Sequence, residues 1–377
     1  MRGSRSTDHS IIRSIDSVSS PLRTSDFDFD LPDDLIAQEP PIERGASRLL
    51  HVDRTAAAIA DHRFADLPQL LRPGDLLVLN DTRVFPARLL GTRLPGGGAV
   101  ECLLVRREPD PADAAPDVET WSALVHPGQR LRPGTELVFD GPGRVLHGQV
   151  IGRHFHGRRT VRLWTSDGSP VRDAVHDRGH VPLPPYIRRP DERADRDRYQ
   201  TVFARQEGSI AAPTAGLHFT PAVLTALADA GVTSVMITLH VGYGTFQPVR
   251  AELVADHRME AEDYEVTPAA AQALNAALVD RRRIVAVGTT TTRTLESLAL
   301  DGRGRVAPGR GTTALFIAPG HTFRLVGGMV TNFHLPRSSL LMLVSAFGGL
   351  ALMRRAYAHA VAARYRFYSY GDPMLIL

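Results

Sequence analysis

The 377-residue chain has a single cysteine, Cys102, and no lysine. One thiol cannot supply a disulfide framework, a four-cysteine zinc site or a three-cysteine radical iron–sulfur cluster within the chain. Cys102 lies in the apolar run AVECLLV and reads as a core residue. Without lysine, a Schiff-base lysine and a Walker-type phosphate lysine are both excluded. No apolar run reaches about 18 residues without a charge, and the Ser/Arg/Asp mixture up to Ser25 lacks the apolar centre of a signal peptide. A cytoplasmic protein with no membrane partner is expected. Residues 1–25 are polar and aperiodic and are expected to form a disordered extension.

What is present is the composition of a globular protein, 43% hydrophobic, with length enough for roughly two domains. All 44 basic Lys/Arg positions are arginine, against 41 acids, for a net charge of +3. Arginine stays charged and pairs bidentately with phosphate, which keeps a polyanionic partner in play.

The stretch Ile210 to Arg250, IAAPTAGLHFTPAVLTALADAGVTSVMITLHVGYGTFQPVR, holds two loops suited to chemistry. Thr220-Pro221 reads as an N-cap with proline at the first helical position. Val223, Leu224 and Leu227 recur at helical spacing until Gly231, and Val232–Leu239 follows as a buried strand. In a strand–helix–strand unit, the loop entering the helix and the loop leaving the next parallel strand share the carboxyl edge of the sheet. This places His218 and His240 at one crevice. Three further strand ends point the same way. Leu76–Leu79 ends in Asn80-Asp81-Thr82-Arg83, where Asn80-Asp81 reads equally well as an Asx-type turn. Ile284–Val287 ends in Gly288-Thr289-Thr290-Thr291-Thr292, followed by a helix over Arg293–Leu300. Its amides and hydroxyls suit an anionic or polar group, although the threonines also serve as simple caps. Glu296 is held one turn into that helix. Leu325–Val330 leads into a loop with Asn332, Phe333 and His334, then a buried helix from Ser339 to about Leu350. A lone loop histidine is usually structural, but three on converging loops, His218, His240 and His334, point to function. HExxH spacing does not occur, and no metal is expected.

Between Arg88 and Thr165 the texture changes to short strands with Gly/Pro turns, as in a small β-barrel or sandwich, with an enlarged loop at Pro109–Asp117. Arg153, His154, His156, Arg158, Arg159 and Arg162 fall in an acid-free stretch, either a solvated edge hairpin or a nucleic-acid contact. The proline-rich Val181–Arg205 passage, with its interleaved charges, reads as an ion-paired return to the main domain. Near the end, Arg364–Tyr370 alternates as a half-buried strand does, with base stacking as the other reading. The fold expected is an α/β main domain, residues 26–87 and 166–377, with a small β-barrel domain inserted at 88–165.

The blocks PTAGLHFT, LHVGYGTFQPVR, VGTTTTRTLES, TNFHLPRSSLLMLVSAFGG, RFYSYGD, LVLNDTRVFPARL and DFDLPDDLIAQ resemble the S-adenosylmethionine:tRNA ribosyltransferase-isomerases of queuosine biosynthesis, from Phe27 to Leu377. Tyr243, Thr291-Thr292 and Arg337 depart from the usual pattern. The resemblance implies transfer of the ribosyl part of S-adenosylmethionine to the amine of 7-aminomethyl-7-deazaguanine at the tRNA wobble position. Adenine and methionine leave, epoxyqueuosine results, and no metal or redox cofactor takes part.

Such a reaction needs a base for a proton on the carbon beside the sulfonium, an acid for the departing adenine and a neutral acceptor amine. His218 or His240 is the candidate base; Asp81 or Glu296 is the candidate for the amine proton or purine nitrogen. Phe246 and Phe333 are placed to stack adenine or face the sulfonium. The Gly288–Thr292 loop would hold ribose hydroxyls or the methionine carboxylate. Asn80, Arg83, Thr214, Gly216, Gly244, Arg293, Asn332 and His334 complete the expected pocket. Arg153, Arg158, Arg159, Arg281, Arg282 and Arg283 are the expected tRNA contacts of a monomer. The rival readings are a non-catalytic tRNA-binding protein and a glycosidase acting on free S-adenosylmethionine.

Overall fold

Four parallel strands, Thr233–Leu239, Leu76–Asn80, Ile284–Val287 and Gly328–Asn332, lie side by side at the centre of a nine-stranded sheet. The computed structural model describes residues 21–109, 117–141, 143–154, 157–246 and 249–377. Every residue of Leu76–Asn80 and Ile284–Val287 is buried, as strands covered on both faces require. Alternate side chains go to opposite layers. Leu76, Val78, Ile284 and Ala286 pack under the helices Pro268–Val279, Thr289–Ser297, Ser339–Gly348 and Leu350–Ala362. Leu77, Leu79, Val285 and Val287 pack against Pro221–Asp229 and the Phe64–Leu71 turn. Pro373–Ile376, Arg48–Asp53 and Ala58–Arg63 extend one side of the sheet, and Glu262–Val266 and Gly309–Thr313 the other.

The strands Arg88–Leu94, Gly98–Arg107, Val118–His126, Glu136–Phe139, Leu146–Arg153 and Arg158–Thr165 close into a barrel. The helix Val171–Arg178 packs Val171, Ala174 and Val175 into the barrel's apolar core. Cys102 is fully buried there and its thiol is pushed up to about 12 by burial, so it is unreactive.

Several local expectations are corrected. The threonines after Val287 are the first turn of a helix, Thr289–Ser297, and not a loop before one. The strand before Phe333 is Gly328–Asn332. The Thr233–Leu239 strand is exposed at its start and buried only from Ile237. The Arg364–Tyr370 alternation is not a strand. Arg364 and Tyr368 take φ of 55° and 75°, the chain turns there, and Tyr365, Phe367 and Tyr370 sit in the core. Those rings are therefore unavailable to stack a base. Residues 1–20 of the expected disordered extension lie outside the described residues, as does nearly all of the Pro109–Asp117 loop. From Pro21 the chain is held: Thr24 donates its N–H to the Glu252 carbonyl at 2.9 Å and its hydroxyl to that of Ala251 at 2.6 Å. Among the described residues no single helix is long and apolar enough to cross a membrane; Ser339–Gly348 and Leu350–Ala362 would be only as a pair, and they meet at 116°.

Candidate active site

The carboxyl ends of the central strands are stitched together by side chains. Asn80 donates to the Leu239 carbonyl at 3.0 Å, and its oxygen accepts the N–H groups of Leu239 at 3.0 Å and Thr82 at 3.1 Å. Its amide is thus consumed in the turn. Asp81 is buried, with one oxygen accepting from the Thr238 hydroxyl at 2.7 Å and the other from Arg205 at 2.9 Å. Both residues position the edge. Arg83 is exposed and lines neither cavity described next.

A small pocket of 90 Å³ opens among the loops, and Thr214, Gly288, Thr289, Thr290, Asn332, Phe333 and His334 all contribute to its wall. Gly288 caps the helix Thr289–Ser297 at φ +92°, a left-handed geometry that glycine adopts without strain. The hydroxyls of Thr291, Thr292 and Thr294 fold back on the carbonyls of Val287, Gly288 and Thr290, at 2.7, 3.1 and 3.1 Å. The Thr290 hydroxyl is buried with no hydrogen-bond partner. It stands at a helix N-terminus, where the first amides have no partner within the helix, an arrangement suited to a carboxylate or sugar hydroxyl. The Phe333 ring packs in a cluster with Phe367, Tyr365 and Tyr357 and is fully buried.

His334 binds the Thr331 hydroxyl at 2.9 Å through Nε2, and burial pushes its pKa down to about 3. His218 lies behind the Asn332 wall and lines neither cavity. Its Nδ1 meets the Ser47 hydroxyl at 2.8 Å, and burial lowers its pKa to about 3 as well. Gly216 is needed for packing, since a Cβ there would lie 2.7 Å from Thr201 and 2.9 Å from Phe203. Both histidines are neutral in the folded protein down to about pH 3, whereas an unfolded histidine takes up its proton near 6.5. Their depressed values contribute stability that is complete above 6.5 and is lost as pH falls towards 3. The urea midpoint is therefore expected to drop between pH 6.5 and 5, above the carboxylate range, and to drop less in His218→Asn. An identical slope in the variant would remove His218 from this account.

The larger cavity, a cleft of 870 Å³, lies between the sheet edge and the barrel. His240, Gly244, Gly208, Glu262 and Asp263 come from the sheet side; Trp121, Arg158 and Arg172 form the opposite wall. Arg158 pairs with Glu260 at 2.9 Å, and Arg172 and His176 pair with Glu207 at 2.9 and 3.0 Å. His240 is half-buried. Its Nδ1 lies 2.9 Å from the Thr82 hydroxyl, which itself donates to the Gln206 carbonyl at 3.3 Å. With that hydroxyl proton committed, the network assigns the imidazole proton to Nδ1 and leaves the Nε2 lone pair open to the cleft. Burial lowers the His240 pKa, opposed by Asp263, Asp81 and Glu265. The structure thus separates His218 and His240 into different surroundings on the same sheet edge.

Two other expected residues are engaged elsewhere. Glu296 accepts the N–H groups of Arg324, Leu325 and Val326 at 2.8 to 3.0 Å and reaches neither cavity. Arg293, also buried, pairs with Glu262. The Phe246 side chain lies outside the described residues. Tyr243 packs on the barrel core and borders neither cavity wall.

Of the expected tRNA contacts, Arg153 is exposed and Arg158 is in the cleft ion pair, while Arg159 is buried and donates to carbonyls of its own barrel. Arg281, Arg282 and Arg283 precede Ile284, at the edge of the sheet opposite the loops, and Arg283 and Arg282 pair with Asp75 and Asp280. Sequence reasoning missed the acidic wall from Glu260 to Asp263 and, apart from Arg158, the barrel wall. The acidic run Glu252–Glu265 was its one visible signal.

A sheet edge furnished with polar loops and faced by a barrel across a deep cleft defines an enzyme working at a junction of two folded units. The chain belongs to the queuosine biosynthesis protein family, whose model matches residues 24–376. It is 54% identical to an S-adenosylmethionine:tRNA ribosyltransferase-isomerase of Anaeromyxobacter sp., over 94% of this chain and 99% of that one. It is 51% identical to the protein of the same name in Symbiobacterium thermophilum, over 94% and 100%. The crystal structure of an S-adenosylmethionine tRNA ribosyltransferase from Thermotoga maritima aligns with a TM-score of 0.52 at 37% identity, covering 94% of this chain and all of that one.

Proposed function

We infer that this chain transfers and isomerises the ribosyl moiety of S-adenosylmethionine onto 7-aminomethyl-7-deazaguanine at the tRNA wobble position, releasing adenine and methionine and leaving epoxyqueuosine. The observation that carries the assignment of its parts is that Val241, next to His240, lines both cavities. The small pocket is below the roughly 300–1,000 Å³ of ordinary small-molecule sites, so it takes one end of the donor. The methionine carboxylate fits there, against the helix N-terminus and Thr290. The sulfonium and ribose then lie towards Val241 and His240, and the tRNA base enters the cleft. His240 Nε2 removes the proton beside the sulfonium. Asp263, in the same cleft, takes the proton of the acceptor amine, a role for which Asp81 and Glu296 have no free oxygen facing it. The donor side chains present suffice without a metal or redox cofactor. The protein works as a cytoplasmic monomer, residues 26–87 and 166–377 carrying the catalytic edge and residues 88–165 the opposing barrel.

The test is adenine release from S-adenosylmethionine with and without tRNA bearing 7-aminomethyl-7-deazaguanine, with mass analysis of the nucleoside. Release that requires the modified tRNA, together with the mass of epoxyqueuosine, is expected. Release without tRNA would mean a glycosidase, and tight tRNA binding with no release would mean a binding protein.

A further inference from the structure

The barrel carries a second basic hollow, of 780 Å³, that belongs to neither cavity of the active site. His126, Arg130, Arg153 and His154 line it, Arg159 lies beneath, and no carboxylate contributes to it. Arg159 is 2% exposed, and its guanidinium donates to the carbonyls of Leu131 at 3.0 Å, Arg158 at 2.8 Å and Gly128. It therefore fixes the loop that presents Arg130 and acts as a brace beneath the hollow. Among the described residues, neither Arg130 nor Arg153 forms an ion pair. Two arginines of the cleft differ, since Arg158 and Arg172 are matched by Glu260 and Glu207. Unmatched guanidiniums converging with two imidazoles on a rigid floor repel one another, and the group that relieves this and uses their planar donors is a phosphate.

The position of the hollow says which phosphate. Ser122 lines the cleft and His126 lines the hollow, on the same strand Val118–His126. Four residues of strand span about 13 Å. An RNA strand leaving the cleft passes the hollow within a few nucleotides of the modified base. We propose that Arg130, Arg153, His126 and His154 bind backbone phosphates of the tRNA stem-loop next to the modified nucleotide. This rests on the tRNA reading above.

The test is the affinity of full-length protein for the modified tRNA as a function of salt, in wild type and in Arg130→Ala/Arg153→Ala. Both side chains are exposed, so the variant is expected to melt with wild type. The double variant should raise Kd and the KM for tRNA by roughly ten- to a hundredfold, and reduce the slope of log K against log salt by about one to two. Wild-type slope and affinity in the variant would overturn the proposal, as would equal loss of binding to anionic vesicles and to tRNA. If wild type itself neither binds tRNA nor releases adenine with it, the functional reading fails instead, so the two failures are distinguishable.

Discussion

Replacing His240 with glutamine lowers tRNA-dependent adenine release by roughly 10²- to 10⁴-fold while tRNA affinity stays at the wild-type level. The expectation rests on basicity and access together. His218 and His334 are held near pKa 3, so protonating either at neutral pH costs on the order of 5 kcal/mol, a heavy penalty for a base. His240 is lowered by burial too, but three carboxylates oppose the shift, and its Nε2 faces the cleft. Its orientation is set by the Thr82 hydroxyl and by Gly208, where an added Cβ would meet ring atoms at 2.7 to 2.9 Å. Gly208→Ala should therefore move the ring and reduce turnover by an intermediate factor. Because a base must be unprotonated, the acid limb of the wild-type rate profile should fall below the ordinary histidine value of 6.5 and disappear in His240→Gln. Turnover within a few-fold of wild type in a folded His240→Gln protein would place the base elsewhere.

The sequence signals that proved informative were local ones. Thr220 does cap its helix, accepting the Val223 N–H at 3.1 Å, and the parallel strands deliver their polar loops to one edge. What could not be read was which polar side chains remain free once the chain closes. Asp81 and Glu296 look like catalytic acids beside catalytic loops, yet their partners, Arg205 and the Arg324–Val326 amides, lie 124 and about 28 to 30 residues away. His218 is screened by Ser47, 171 residues distant. Arg159 resembled its neighbours in an arginine run, but strand alternation turns it inward while Arg158 faces the cleft. Periodicity cannot show how an inserted barrel seats on a sheet, so the opposing wall of the cleft appeared only in three dimensions. The terminal aromatics followed a period of two for a different reason: two left-handed residues bend the chain, and the rings fill the core as it turns.

Removing one partner of the Arg293–Glu262 pair should be the most destabilising single change near the site. Arg293 is 2% exposed and Glu262 5%. Burial lowers the arginine pKa to about 10, which still leaves it charged at neutral pH. Arg293→Met strands a buried carboxylate, and Glu262→Gln strands a buried guanidinium; each should cost about 3–5 kcal/mol in urea unfolding. The double variant removes both charges and should recover most of that loss, because the penalty belongs to the unpaired ion and not to the missing attraction. Activity should divide differently from stability. Glu262 also accepts the Gly242 N–H at 2.9 Å, which anchors the loop that follows His240. A glutamine keeps that acceptor but loses the charge that strengthens it. The stable double variant should therefore still release adenine more slowly than wild type, with tRNA affinity unchanged. A double variant whose loss equals the sum of the two single losses would show that the two side chains are not energetically coupled, and full turnover in it would confine the pair to stability. If stability recovers and turnover does not, the buried pair has a second role: it holds the His240 loop against the sheet edge where the two cavities meet.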